Sequence, residues 1–106
     1  MKTIDREQLK VKLERGDNVK LIMAMDQQAF DRVHIPGSLH FTNIFEAAEK
    51  LTPADEIVIY CSTKWCNASL NAYLKLHSRG FEKLYRYAGG LADWQEANYP
   101  LEGTMV

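Results

Sequence analysis

Two cysteines, Cys61 and Cys66, are the residues of this 106-residue chain best suited to covalent chemistry. They lie in the stretch EIVIYCSTKWCNASL, Glu56 to Leu70. Cys61 follows directly on an apolar, β-branched run, and Cys66 comes five residues later, ahead of an expected helix. The reactive form of cysteine is the thiolate, and an unperturbed thiol with a pKa of about 8.5 is mostly protonated at neutral pH. Two local features would lower that value. A helix starting near Asn67 stabilises an anion by about 0.3–1 kcal/mol, and by up to ~2 when partly buried. At ~1.4 kcal/mol per pKa unit this moves the thiol by about one unit. A loop of successive backbone N–H groups curving round one point adds an anion nest. Such a cradle suits a thiolate, and equally a persulfide whose outer sulfur carries negative charge. The plain alternative is that Cys61 is a small buried apolar residue, as free cysteines often are.

The elements that must position this turn alternate between helix and strand. Asp5 with Gln8 has the form of a capping box, opening a helix that runs to Arg15 and stops at Gly16. VKLIMAM, Val19–Met25, reads as a buried strand. FDRVHIPGSLHF, Phe30–Phe41, reads as a loop around Pro36-Gly37 leading into a short strand near Leu39–Phe41. Asn43 with Glu46 opens a helix to about Leu51, which Thr52-Pro53 breaks. EIVIY is the clearest strand. After the cysteine turn, Leu70, Tyr73, Leu74 and His77 share one helical face, and Gly80 ends that helix. KLYRY, Lys83–Tyr87, is a further strand, KTI at the start is another, and Gly89-Gly90 turns into a last helix carrying Trp94. The alternation predicts one α/β domain over residues 1–106: a small open sheet of about five mostly parallel short strands flanked by helices. Open sheets of this kind bind ligands beyond the carboxyl ends of their strands, and Cys61 stands at such an end.

Composition narrows the function. A net charge of −1, with lysines and arginines interleaved among acids, argues against nucleic acid or an anionic membrane as partner. No apolar run approaches the ~20 residues of a membrane span, and the charged start MKTIDREQLK lacks the apolar region of a signal peptide. A cytoplasmic location is therefore expected. Two cysteines are too few for a disulfide framework, and in a reducing compartment a thiol pair is more often reactive than structural. His34, His40 and His77 are not set at ligand spacings with the cysteines, so no metal and no cofactor is expected. Asp26 and Asp31 read as surface charges, and His34 as a hydrogen-bonded structural residue.

HIPGSLHF, a cysteine directly after an apolar strand, and GGLADW resemble, in that order, the motifs of the rhodanese-like domain. The likeness runs from about Thr3 to Gly103 and includes the spacing of GFEKLYRYAGG after the cysteine helix. It implies sulfur transfer. Cys61 would take a sulfane sulfur from a donor, hold it as a persulfide and pass it to a thiol, cyanide or another nucleophile. Residues 61–66 match the family's active loop in length, so the backbone N–H groups of Ser62, Thr63, Lys64, Trp65 and Cys66 would line the cradle. In a loop that usually resembles C-x-x-G-x-R-[ST], Lys64 stands where glycine is common and Cys66 where arginine is common. If that glycine position requires a positive φ, a lysine there costs on the order of 1–3 kcal/mol. Met23-Ala24-Met25 replaces a strand end that often reads Asp-Val-Arg, so a charge pair near the site becomes two soft apolar side chains.

Several residues admit two readings. Cys66 is either a resolving thiol, attacking a Cys61 persulfide or sulfenate to close a disulfide, or a small residue at a helix start. Bridging requires Cα atoms about 4.4–6.8 Å apart. Lys64 either attracts an anionic donor or is a solvated loop tip. Trp65 is either an apolar lip for substrate or partner protein, or cover for the helix N-terminus. Asn67 reads as an N-cap. The expected function is that of a sulfurtransferase or persulfide carrier acting on a small sulfur donor, as a monomer or weak dimer. The alternatives are a thiol–disulfide redox protein using Cys61 and Cys66, and a non-catalytic rhodanese-like binding module. A cysteine-dependent phosphatase needs an arginine six residues after its cysteine to hold the oxyanion, and Asn67 occupies that position.

Overall fold

The computed structural model describes all residues, 1–106. Three parallel strands form the sheet: β1 (Val19–Met23), β2 (Glu56–Tyr60) and β3 (Leu84–Tyr87), with β2 in the centre. The register pairs Met23 with Tyr60 and Tyr60 with Tyr87, so the carboxyl ends of all the strands lie side by side. The expectation of about five strands is corrected to three. The two outer candidates survive only as single bridges, Thr3 beside Arg86 and Leu39 beside Ile22. One paired residue on each edge is too short to make a strand, although it continues the parallel order on both sides.

Five helices complete the chain: α1 (Arg6–Glu14), α2 (Gln27–Arg32), α3 (Ile44–Lys50), α4 (Ala68–His77) and α5 (Gly90–Glu96). The period-two alternation of the strands divides the core between the two faces of the sheet. Leu21, Met23, Val58 and Tyr60 pack on one face with Leu9 of α1 and Trp94 of α5. Ile22, Ile57 and Ile59 pack on the other with Ala47 of α3 and Tyr73 and Leu76 of α4. A parallel sheet covered on both faces explains why β2 is apolar at successive positions rather than at alternate ones.

The caps account for several helix starts. Asp5 accepts from Gln8 N while the Gln8 side chain accepts from Asp5 N, the reciprocal box read in the sequence. Asn43 accepts from Glu46 N at 3.0 Å. α2 takes in Phe30–Arg32, the start of the segment read as loop. Asp26, read as a surface charge, in fact caps it by accepting from Ala29 N at 2.8 Å. The Asp31 carboxylate lies on α2 and accepts from Gln27 Nε2. On α4 the buried stripe is Ser69, Tyr73 and Leu76, whereas Leu74 is 54% exposed. The predicted apolar face is therefore turned, because Ser69 is a buried polar residue whose hydroxyl finds a partner in Arg86. No helix is long and apolar enough to cross a membrane.

Candidate active site at the end of the central strand

Cys61 is the residue after β2, so the backbone of the central strand delivers it to the carboxyl edge of the sheet. Tyr60 fixes that edge. Its hydroxyl accepts from Ile35 N at 3.0 Å and shares a hydrogen bond with Ser38 Oγ at 2.7 Å, tying β2 to the turn of the HIPGS segment. Burial pushes the Tyr60 hydroxyl pKa up, against the lowering effect of its hydrogen bonds to Ser38 and Ile35. His34, in the same segment, places its ring nitrogens 2.6 Å from Phe30 O and 3.0 Å from a Glu102 carboxylate oxygen.

The loop from Cys61 to Cys66 is clamped from beneath by α5. Leu91 N donates to Cys61 O and Ala92 N to Ser62 O, both at 2.8 Å. Such close approach is possible because residue 90 is glycine. A Cβ there would sit 2.7 Å from Cys61 O and 3.1 Å from Thr63 N, and its φ is +70°. α5 is itself held by Tyr87, whose hydroxyl donates to Asp93 at 2.6 Å, and by Arg6, 3.4 Å from the other Asp93 oxygen. Trp94 lies buried against Tyr87 and Tyr99 and donates to Pro100 O. Gly89-Gly90 and Trp94 thus set the floor of the site.

The two cysteines are joined as a disulfide, with Cα atoms 6.3 Å apart. The free, outward-held Cys61 thiol expected from the sequence is not the state observed. Cys61 is 1% exposed. Its Sγ touches Met25 Sδ at 3.2 Å, a sulfur–sulfur contact, since a disulfide sulfur has no proton to donate. Met25 in turn borders a groove of about 510 Å³ between the end of β1, α3 and α4, walled by Ile22, Phe41, Ile44, Ala68 and Ala72.

The backbone amides of the loop divide into engaged and unengaged groups. Cys66 N donates to Thr63 O at 3.2 Å and Trp65 N to Thr63 Oγ1 at 3.3 Å, so these two are spent within the loop. The N–H groups of Ser62, Thr63 and Lys64 have no protein acceptor. Lys64 does not adopt a positive φ, so the strain cost raised for it does not arise. Its ammonium lies 4.9 Å from the centre of the Trp65 ring rather than against either cysteine. Trp65 is 80% exposed. Asn67 holds the N-cap position of α4 but makes no side-chain capping bond.

Arg86 is the site residue that sequence reasoning passed over. It projects from β3, donates Nε to Ser69 Oγ at 2.9 Å and reaches Cys66 O with Nη2 at 3.4 Å. The signal was a guanidinium in the middle of the strand KLYRY, between two tyrosines.

The parallel sheet and the helices that cover it agree with a family match. The model of the rhodanese-like domain fits residues 5–97. The chain belongs to the rhodanese-like family. Thiosulfate sulfurtransferase GlpE of Pseudomonas syringae is 34% identical over 104 residues, covering 95% of this chain and 92% of that relative. YrkF of Bacillus subtilis is 26% identical over 93 residues, covering 86% of this chain; the match spans about half (49%) of that relative's length. Among solved structures, the Anabaena protein Alr3790 superposes with a TM-score of 0.87 at 27% identity, covering 97% of this chain and 94% of that one. BH2092 of Bacillus halodurans has a TM-score of 0.90 at 23% identity, covering 98% and 78%, a likeness of fold. This rhodanese-like domain therefore carries, at the end of its central strand, a cysteine with a second cysteine bonded to it.

Proposed function

We propose that the chain is a sulfurtransferase or persulfide carrier whose nucleophile is the reduced Cys61. Its thiolate attacks the outer sulfur of a sulfane donor. The donor's S–S bond breaks, the leaving group departs with the electron pair, and Cys61 retains the sulfur as a persulfide. An acceptor thiol, or cyanide, then attacks that outer sulfur and releases the thiolate. One observation carries the reading: Cys61 ends the central strand inside a loop where the amides of Ser62, Thr63 and Lys64 have no protein acceptor. Unpaired N–H groups require an acceptor from outside the protein, and an ionised sulfur is one.

The name thiosulfate sulfurtransferase, carried by the GlpE relatives, supports the reaction class. The donor proposed here is an organic persulfide rather than thiosulfate. Met23-Ala24-Met25 offers no cation, and Arg86 is committed to Ser69 and to the Cys66 carbonyl. Ser62, Thr63 and Lys64 hold the donor through their amides, with Trp65 as an exposed apolar lip for the donor or a partner protein. Neither nucleic acid nor membrane is part of this proposal, which has the protein act in the cytoplasm as a monomer or weak dimer.

The test is intact mass of the reduced protein after incubation with glutathione persulfide, with and without cyanide. Cys66→Ser, in which no second thiol can take the sulfur, gains one sulfur, cyanide removes it, and Cys61→Ala gains none. Equal sulfur loading of Cys61→Ala would refute the proposal, and a Cys66→Ser protein that never loads would point to a binding module. The disulfide favours a second reading, a thiol–disulfide redox protein. Under that reading Cys66→Ser abolishes every activity, whereas a sulfur carrier retains its loading.

A further inference from the structure

The backbone of Cys66 is held at both its amide and its carbonyl. Its amide donates to Thr63 O at 3.2 Å and its carbonyl faces the Arg86 guanidinium at 3.4 Å. Arg86 is in turn seated on Ser69 at the head of α4. On the other side of the pair, the Cys61 carbonyl is held by Leu91 N. Both cysteine backbones are therefore fixed from elsewhere in the fold, at a Cα separation of 6.3 Å that a disulfide spans without rearrangement. The bond joins Cys66 Sγ to Cys61 Sγ, which is the inner sulfur of any persulfide formed at Cys61.

From this geometry we infer that Cys66 cleaves the Cys61 persulfide and that the protein is a sulfane-sulfur reductase releasing hydrosulfide. The inference rests on the reading of Cys61 as the sulfur acceptor. The Cys66 thiolate attacks Cys61 Sγ. The bond between Sγ and the outer sulfur breaks, and its electron pair leaves with the outer sulfur, which takes up the proton given up by the Cys66 thiol and departs as hydrosulfide. The sulfane sulfur is reduced to sulfide while the two thiol sulfurs are oxidised to the disulfide. A dithiol reductant then restores both thiols by exchange and is itself oxidised to a disulfide. With Cys61 1% exposed in the oxidised form, no second sulfur enters before that reset, so each donor turnover consumes one dithiol. The acceptor for the first step is thus built into the chain, and external thiol is needed to reopen the site rather than to remove the sulfur.

The experiment uses the full chain, reduced, freed of reductant without air, and mixed with glutathione persulfide. Sulfide is measured against an identical Cys66→Ser sample, and trapped thiols are counted by intact mass after alkylation. Wild type is expected to release one sulfide per chain above the Cys66→Ser background and to end as an unalkylatable Cys61–Cys66 disulfide. Cys66→Ser should instead retain the added sulfur on Cys61. Added dithiol should make sulfide release by wild type catalytic. A wild type that keeps its persulfide and releases no more sulfide than Cys66→Ser overturns the inference while leaving the carrier reading intact. If neither protein gains sulfur at any stage and no disulfide forms, the reading of Cys61 as acceptor falls with it. Cys66→Ala, with its unfolding midpoint measured alongside, separates loss of the thiol from loss of folding.

Discussion

Replacing Gly90 by alanine should do far more damage than an ordinary glycine substitution, and the excess can be worked from contacts. The residue has φ +70°, and an added methyl would meet Cys61 O at 2.7 Å and Ser62 C and Thr63 N at 3.1 Å. These are backbone atoms, so no side-chain rotation relieves the contact. Left-handed backbone costs a residue with a Cβ about 1–2 kcal/mol. Moving the loop away strains the Leu91–Cys61 and Ala92–Ser62 hydrogen bonds, each with a net value of about 0.5–1.5 kcal/mol. Alanine recovers about 0.4–1 kcal/mol by restricting the unfolded chain. The net loss is about 2–4 kcal/mol, which a domain of ~5–15 kcal/mol total stability survives. Gly16→Ala is the control, since its φ is +74° but nothing lies within 4 Å of the added carbon. It should lose only the conformational part, about 1 kcal/mol. Urea unfolding of both oxidised variants, with the m-value checked for constancy, measures the difference. If Gly90→Ala falls within about 0.5 kcal/mol of Gly16→Ala, a spread typical of unremarkable substitutions, the clamp beneath the loop does not exist as described.

Arg86→Met should cost about 1.5–3 kcal/mol, the range for hydrogen bonds to a charged group. It should also make the Cys61–Cys66 disulfide easier to reduce in a glutathione redox titration; an unchanged midpoint would mean that Arg86 does not position Cys66. Tyr60→Phe leaves the Ile35 N–H without its partner and should cost about 1–3 kcal/mol by chemical denaturation. Because the folded Tyr60 and Tyr87 pKa values are raised, chiefly by burial, the unfolded chain holds fewer of these protons above its own pKa near 10. Stability should be intact below that pH and fall as pH rises above it. The fall should be shallower in Tyr87→Phe, and parallel curves for wild type and variant would refute it.

The parts of this fold that can be read from the sequence are those whose signal is local. β2 is visible because EIVIY is apolar and β-branched throughout, and α1 because its capping box lies within four consecutive residues, Asp5 to Gln8. α2 escapes notice because QQAFDR carries no buried residue and depends on Asp26, which looks like any surface acid. The outer strands are overread because Thr3 and Leu39 each pair at one position only. Cys61 is recognisable from its place after β2, yet its partnership with Cys66 is settled by Arg86, twenty residues beyond Cys66, and by Gly90. Even the doubt over Lys64 resolves at a distance. The left-handed residue that close packing requires is Gly90 on the facing helix, not a residue of the loop itself.

The hydrogen bonding of the loop also sorts its polarity. The carbonyls of Cys61 and Ser62 are taken by α5, that of Thr63 by Cys66 N, and that of Cys66 by Arg86. The amides of Ser62, Thr63 and Lys64 are taken by nothing in the protein. A loop whose acceptors are mostly engaged and whose donors are left over attracts hydrogen-bond acceptors and anions and gives cations little to bind. That bias arises from the backbone and does not need the arginine that the family commonly places at position 66. The position is therefore free for a thiol, and the Arg86 guanidinium, approaching from the neighbouring strand, holds that thiol's backbone rather than the substrate. Of the two loop positions that depart from the pattern it resembles, Lys64 needs no positive φ, and Cys66 exchanges a cation for a sulfur bonded to Cys61, so neither change uses up the unpaired amides.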